Sequence, residues 1–126
     1  MTNMTILHPR ERILQDGEAI AAIYRNLGTA TAERMVTRAL GELALTMAGI
    51  AAQVRARRME DLSRQLKKLQ SMAENLGMIS LGLVAKDAQM CLARGDGTGF
   101  AAVWARLMRV AERSLASDQG FADLSL

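Results

Sequence analysis

The chain has 126 residues, half of them apolar, and a net charge of +3 with a single cysteine. One domain with a proper hydrophobic core fits that length, and wholesale disorder does not fit that composition. One cysteine excludes an intrachain disulfide and suggests no metal cage; Cys91 reads as a small buried hydrophobe.

The positive charge is mild and gives little reason to expect a nucleic-acid partner. Its local cluster, Arg55, Arg57 and Arg58, is followed at once by Glu60 and Asp61 and is interleaved with no aromatic residue. It reads as a solvated helix end rather than a phosphate-binding patch. The first 25 residues lack the unbroken apolar core of a signal peptide, and no apolar run is expected to reach membrane-spanning length. The cytoplasm is the default expectation, with neither a membrane nor a nucleic acid as partner.

Ala, Leu, Met, Arg and Glu dominate, and the only proline is Pro9, so long helices are expected. Pro9 suits a first helical position. Ile13, Ile20, Ile23, Tyr24 and Leu27 mark one face of a first helix, with Asn26 and Gly28 as stop signals. Leu14 and Ala21 widen its apolar arc, so a homodimer through this helix is one expectation. Thr29 or Thr31 could cap a second helix, with Glu33 near its positive end.

Val36, Leu40, Leu43, Met47, Ile50 and Val54 then alternate spacings of four and three, the seam of a helical bundle. Gly41 and Gly49 interrupt this helix at roughly 1 kcal/mol each relative to Ala, which predicts a close helix–helix approach there. The stretch Ala56–Met59 is expected to turn, or, lacking Gly and Pro, to continue as a bent helix. A third helix reads Met59, Leu62, Leu66, Leu69, Ala73 and Leu76, with Gly77 at its C-terminal cap.

A fourth helix reads Leu81, Val84, Ala88, Cys91 and Leu92 and ends at Gly95-Asp-Gly-Thr-Gly99. That loop lacks the Gly-Lys-Ser/Thr ending of a nucleotide-binding loop and the spaced carboxylates of a calcium loop, so it is expected to be a helix–helix turn. Phe100, Val103, Leu107, Val110 and Leu115, with Trp104 beside them, form a fifth helix. The tail is expected to fray. Met35, Met47, Met59, Met72 and Met108 sit on or beside these stripes and read as core. No strand pattern competes.

The expected fold is all-α: an antiparallel four-helix bundle with an additional N-terminal helix. The expected organisation is an N-terminal segment and helix over 1–28, the bundle over 29–117 and a flexible tail over 118–126.

Candidate chemistry is sparse. Asp16, Glu18 and Glu33 have no His or Cys at ligand spacing, so no metal or other cofactor is expected. Ser63, Ser71 and Ser80 have no histidine base, which disfavours hydrolase chemistry and an enzyme in general. The only histidine, His8, precedes Pro9 and has a local or solvated role.

The third helix is more informative. If Leu62, Leu66, Leu69, Ala73 and Leu76 point inward, then Arg64, Lys67, Lys68, Ser71 and Asn75 point outward. Lys67 and Ser71, four apart, are neighbours on one face. The segment Lys67-Lys-Leu-Gln-Ser-Met-Ala-Glu-Asn-Leu-Gly77 resembles the phosphoacceptor segment of histidine phosphotransfer (HPt) domains, roughly His-x-Leu-Lys-Gly-x-x-x-x-Leu-Gly. Leu69, Leu76 and Gly77 coincide with that pattern, and Leu62 stands five residues ahead of the acceptor position. The helix ending in Gly95-Asp96 looks like the family's fourth helix. The resemblance covers roughly residues 31–116.

Lys67 stands where the family has its histidine. Gln70 stands where it has a lysine, and Ser71 keeps the small size of the next position. The resemblance implies a helical bundle that presents this face to the receiver domain of a response regulator in two-component signalling. Arg64, Lys67, Lys68, Gln70 and Ser71 would form the docking face. An exposed lysine ammonium has no lone pair at neutral pH with which to attack a phosphoaspartate. The implied module therefore binds without passing phosphate. The alternative is a self-associating structural bundle unconnected to phosphorelays.

Overall fold

The computed structural model describes the backbone of residues 14–124 and the side chains of residues 14–116. His8, Pro9 and Ile13 lie outside the described residues. Five helices follow in order: α1 Gly17–Leu27, α2 Thr29–Arg55, α3 Leu62–Asn75, α4 Ile79–Arg94 and α5 Gly97–Leu124. Among the described residues there is no strand. The protein is all-helical, and its principal contacts join sequence neighbours: α1 to α2, α2 to α3, α3 to α4 and α4 to α5.

The inward stripes meet in one core. Leu43, Met47 and Ile50 from α2 join Leu62, Leu66, Leu69 and Ala73 from α3. Leu81, Val84 and Ala88 come from α4, and Phe100, Leu107 and Val110 from α5. Because 3.6 residues complete a turn, the four-and-three spacing keeps each of these side chains on the buried face. Cys91 is half-buried against the core, and Phe100 stacks on Trp104 at 6.4 Å between ring centres.

Three helices end by the same device. Arg57, Gly77 and Gly95 each adopt a left-handed backbone, with φ of 57°, 73° and 69°. After α3, Met78 N–H donates to the Ala73 carbonyl and Gly77 N–H to that of Glu74, the paired bonds of a Schellman cap. The same pattern follows α2, through Arg58 to Gln53 and Arg57 to Val54. It also follows α4, through Asp96 to Cys91 and Gly95 to Leu92. The connection after α2 is thus a true turn and not a bent helix, although a non-glycine residue makes it.

The next connection is shorter than expected. Asp96 accepts a hydrogen bond from Gly99 N–H at 2.8 Å, so it caps α5, which begins at Gly97 inside the glycine-rich segment. The α5 backbone stays helical to Leu124, through the stretch expected as a tail.

Several expectations are corrected. Met59 precedes α3 and is 45% exposed, and Met35 is 50% exposed, so neither is core. A side chain at Gly41 or Gly49 would meet nothing within 4 Å, so no close approach explains either glycine. The close approach lies at Gly82 of α4, where an added Cβ would stand 3.3 Å from Cγ of Glu74 on α3. Finally, α2 is long and apolar enough to cross a membrane by length and composition, with a mean hydropathy of 1.3 in its most apolar window. The expectation that no stretch reaches that length does not hold. Leu43, Met47 and Ile50 commit one face of α2 to the shared core.

Residues 14–16 are tied by hydrogen bonds to the connection between α3 and α4. Asp16 N–H donates to the Gly77 carbonyl at 2.6 Å, and Leu14 and Ser80 exchange two bonds. Asp16 then caps α1 through Glu18 N–H at 3.0 Å. The start of α1 is therefore fixed to the α3–α4 connection, directly beyond the helix that carries Lys67.

Candidate functional site

Arg64, Lys67, Lys68 and Ser71 are exposed along the middle of α3, and Gln70 is half-buried. The helix has this polar face because Leu62, Leu66, Leu69 and Ala73, all fully buried, consume the other one. Its first turn carries no acidic residue and no side-chain N-cap bond. At its N-terminus, packing of Leu62 and Leu66 rather than a side-chain cap holds α3 in place.

The five residues do not converge on one point. Arg64 is bound to Asp61 by two hydrogen bonds, Nε to Oδ1 at 2.8 Å and Nη2 to Oδ2 at 2.6 Å. The Arg64 guanidinium holds the Asp61 carboxyl below the ordinary carboxylate range, and Gln65 adds a smaller contribution in the same direction. Gln70 turns toward α4: it accepts from Gln89 Nε2 at 2.8 Å and donates to Glu74 at 2.9 Å. Lys68 turns toward α2 and lines a groove of about 480 Å³ with Glu42, Leu45, Thr46, Gly49 and Gln53. The side-chain oxygen of Gln53 is buried there without a hydrogen-bond partner.

Lys67 and Ser71 remain together. They are one helical turn apart, with Cβ atoms about 5–6 Å from each other, and both are exposed. Lys67 takes part in no ion pair among the described residues. A cation presented from a rigid helix beside a small hydroxyl can pair with a carboxylate that approaches from another molecule. Among the described residues, no group of three or more His, Cys, Asp or Glu side chains could hold a metal ion.

A second exposed surface was missed by reading only the buried seams. Ile79, Leu83 and Met90 of α4 are 42%, 55% and 40% exposed. Their spacing of four and then seven residues, with Lys86 between them, repeats helical periodicity on the face opposite Leu81, Val84 and Ala88. That signal is legible in the sequence.

Compared with models of protein families, with curated proteins and with solved structures, the chain matches none.

Proposed function

We propose that the chain is an HPt-like signalling module that docks the receiver domain of a response regulator without accepting phosphate. In this reading α2 to α5 form an antiparallel four-helix bundle with α1 packed across it, and the protein works in the cytoplasm. One observation carries the reading. Lys67, at the position of the phosphoacceptor histidine in the HPt pattern, is exposed at mid-helix with Ser71 beside it and with no ion pair among the described residues.

The Lys67 ammonium enters the acidic pocket of the receiver and pairs with the aspartate that would otherwise be phosphorylated. Lys68 and Arg64 add positive charge at the rim, although Arg64 must share its guanidinium with Asp61. Gln70 supports the face from behind through α4 rather than reaching over it.

The test is calorimetry and phosphotransfer against receiver domains of the source organism, with wild type, Lys67→Glu and Lys67→His. The reading expects binding by wild type, weaker binding by Lys67→Glu, and phosphate label only on Lys67→His. Label on the wild-type chain overturns the non-catalytic reading. Absence of binding to any receiver, or equal binding by Lys67→Glu, overturns the docking reading. Self-association is the second reading, and the exposed α4 stripe favours it.

A further inference from the structure

Helix α4 carries two apolar faces. One, formed by Leu81, Val84, Ala85 and Ala88, is buried. On the other, Ile79, Leu83, Lys86 and Met90 follow each other at spacings of four, three and four. At about 100° per residue these four side chains fall within roughly 60° of the helix circumference. All four are exposed. Leu14, 56% exposed, is bonded through its backbone to Ser80, the residue after Ile79. One exposed leucine is ordinary, but an aligned row of large apolar side chains marks an interface.

We propose that this stripe joins two copies of the chain about a two-fold axis, with α4 of one copy antiparallel to α4 of the other. The stripe is self-complementary in that arrangement. Residues 79 and 90 share a midpoint with residues 83 and 86, so one two-fold operation sets Ile79 against Met90 of the second copy. It also sets Leu83 against the aliphatic stem of the second copy's Lys86.

Charge agrees with the same register. Glu74 of α3 lies beside Gly82, one residue before Leu83. It receives a hydrogen bond from Gln70 but pairs with no cation among the described residues, and Lys86 pairs with no anion among them. Under the two-fold, α3 lies on the same side of both copies. The Lys86 ammonium that passes over Leu83 therefore arrives at Glu74 of the other copy, and symmetry makes two such pairs. One helix face plus Leu14 is smaller than the roughly 800 Å² per partner of a standard stable interface, so the dimer is weak and concentration-dependent.

Sedimentation velocity on the full chain, from low micromolar to near-millimolar concentration, tests the proposal. The mass should rise toward twice that of the chain. Leu83→Glu, at an exposed position, should keep the helical circular dichroism and remain monomeric. Glu74→Lys and Lys86→Glu should each weaken the dimer at least about tenfold through like-charge contacts, and combining them should restore it. A monomer at every concentration overturns the proposal, including the case in which residues 1–13 cover the stripe. A dimer that survives Leu83→Glu, as one formed through α1 would, also overturns it, as does failure of the combined reversal to recover. None of these outcomes depends on whether a receiver domain binds α3.

Discussion

Gln89 of α4 donates a hydrogen bond from Nε2 to Oε1 of Gln70 on α3 at 2.8 Å, and Gln70 passes a further bond to Glu74. The side chain three residues beyond Lys67 is thus drawn to the neighbouring helix. Replacing Gln70 with Ala removes that bridge and leaves Gln89 only its bond to the Ala85 carbonyl. The expected cost is about 1 kcal/mol, measured by urea unfolding.

Gly77 allows α3, the α3–α4 connection and the start of α1 to meet. Its φ is +73°, and a Cβ there would stand 2.2 Å from the Asp16 carbonyl oxygen and 3.1 Å from the Ala19 Cβ. Gly77→Ala combines a left-handed backbone with a clash against main chain, which cannot swing away as a side chain could. The expected destabilisation is at least about 2 kcal/mol. Thermal unfolding followed by circular dichroism measures it, and amide exchange at Asp16 should speed up.

Gly41 and Gly49 present the opposite case. Both are exposed, lie inside α2 and have open space where a Cβ would go. Gly41→Ala and Gly49→Ala should each stabilise the chain by roughly 0.5–1 kcal/mol, since alanine lowers the backbone entropy lost on folding. The urea midpoint should rise with an unchanged slope.

Arg57 makes a turn that glycine makes more easily. It is exposed, its φ is +57°, and its N–H closes the cap on α2 through Val54. Arg57→Gly should raise stability by roughly 0.5–1 kcal/mol, because a left-handed backbone strains any residue with a Cβ. Differential scanning calorimetry of the two proteins checks the sign.

Asp61 gives the site a pH dependence of defined direction. Its carboxyl is held low chiefly by the Arg64 hydrogen bonds. A depressed folded-state pKa contributes stability that is present above the unfolded-state value and lost as pH falls through the folded-state value. The stability difference between wild type and Arg64→Ala should therefore be largest near neutral pH and vanish in acid. It should be small, because the pair is exposed. An NMR titration of the Asp61 side-chain carboxyl in Arg64→Ala should show its pKa returning toward the ordinary carboxylate range.

Much of the fold is legible along the chain. The α3 seam from Leu62 to Leu76 declares which residues are buried, and the exposure of Lys67, Lys68 and Ser71 follows from it. Gly77 announces its cap by residue type alone. Arg57 does not, because nothing in an arginine signals a left-handed backbone; the geometry of the turn imposes it. Met35 and Met59 misled because a methionine on or beside an apolar stripe has no sign of where the covering helix stops.

For the candidate site, periodicity gave the exposed face but not the partners on it. That Arg64 is engaged by Asp61, that Gln70 belongs to α4 and that Lys68 borders α2 depend on helix placement in space.

The sequence by itself determined an all-helical chain, the buried stripes of α2 to α5 and the outward position of Lys67. Those properties follow from helical periodicity and from the burial of apolar side chains, both of which act locally along the chain. Only the tertiary structure decided that the tight approach falls at Gly82 rather than at Gly41 or Gly49, and that Asp16 closes on Gly77. It also decided that α4 keeps Ile79, Leu83 and Met90 in solvent. Which faces meet depends on how whole helices pack against one another. That is a property of distant residues brought together, and spacing within one helix does not contain it.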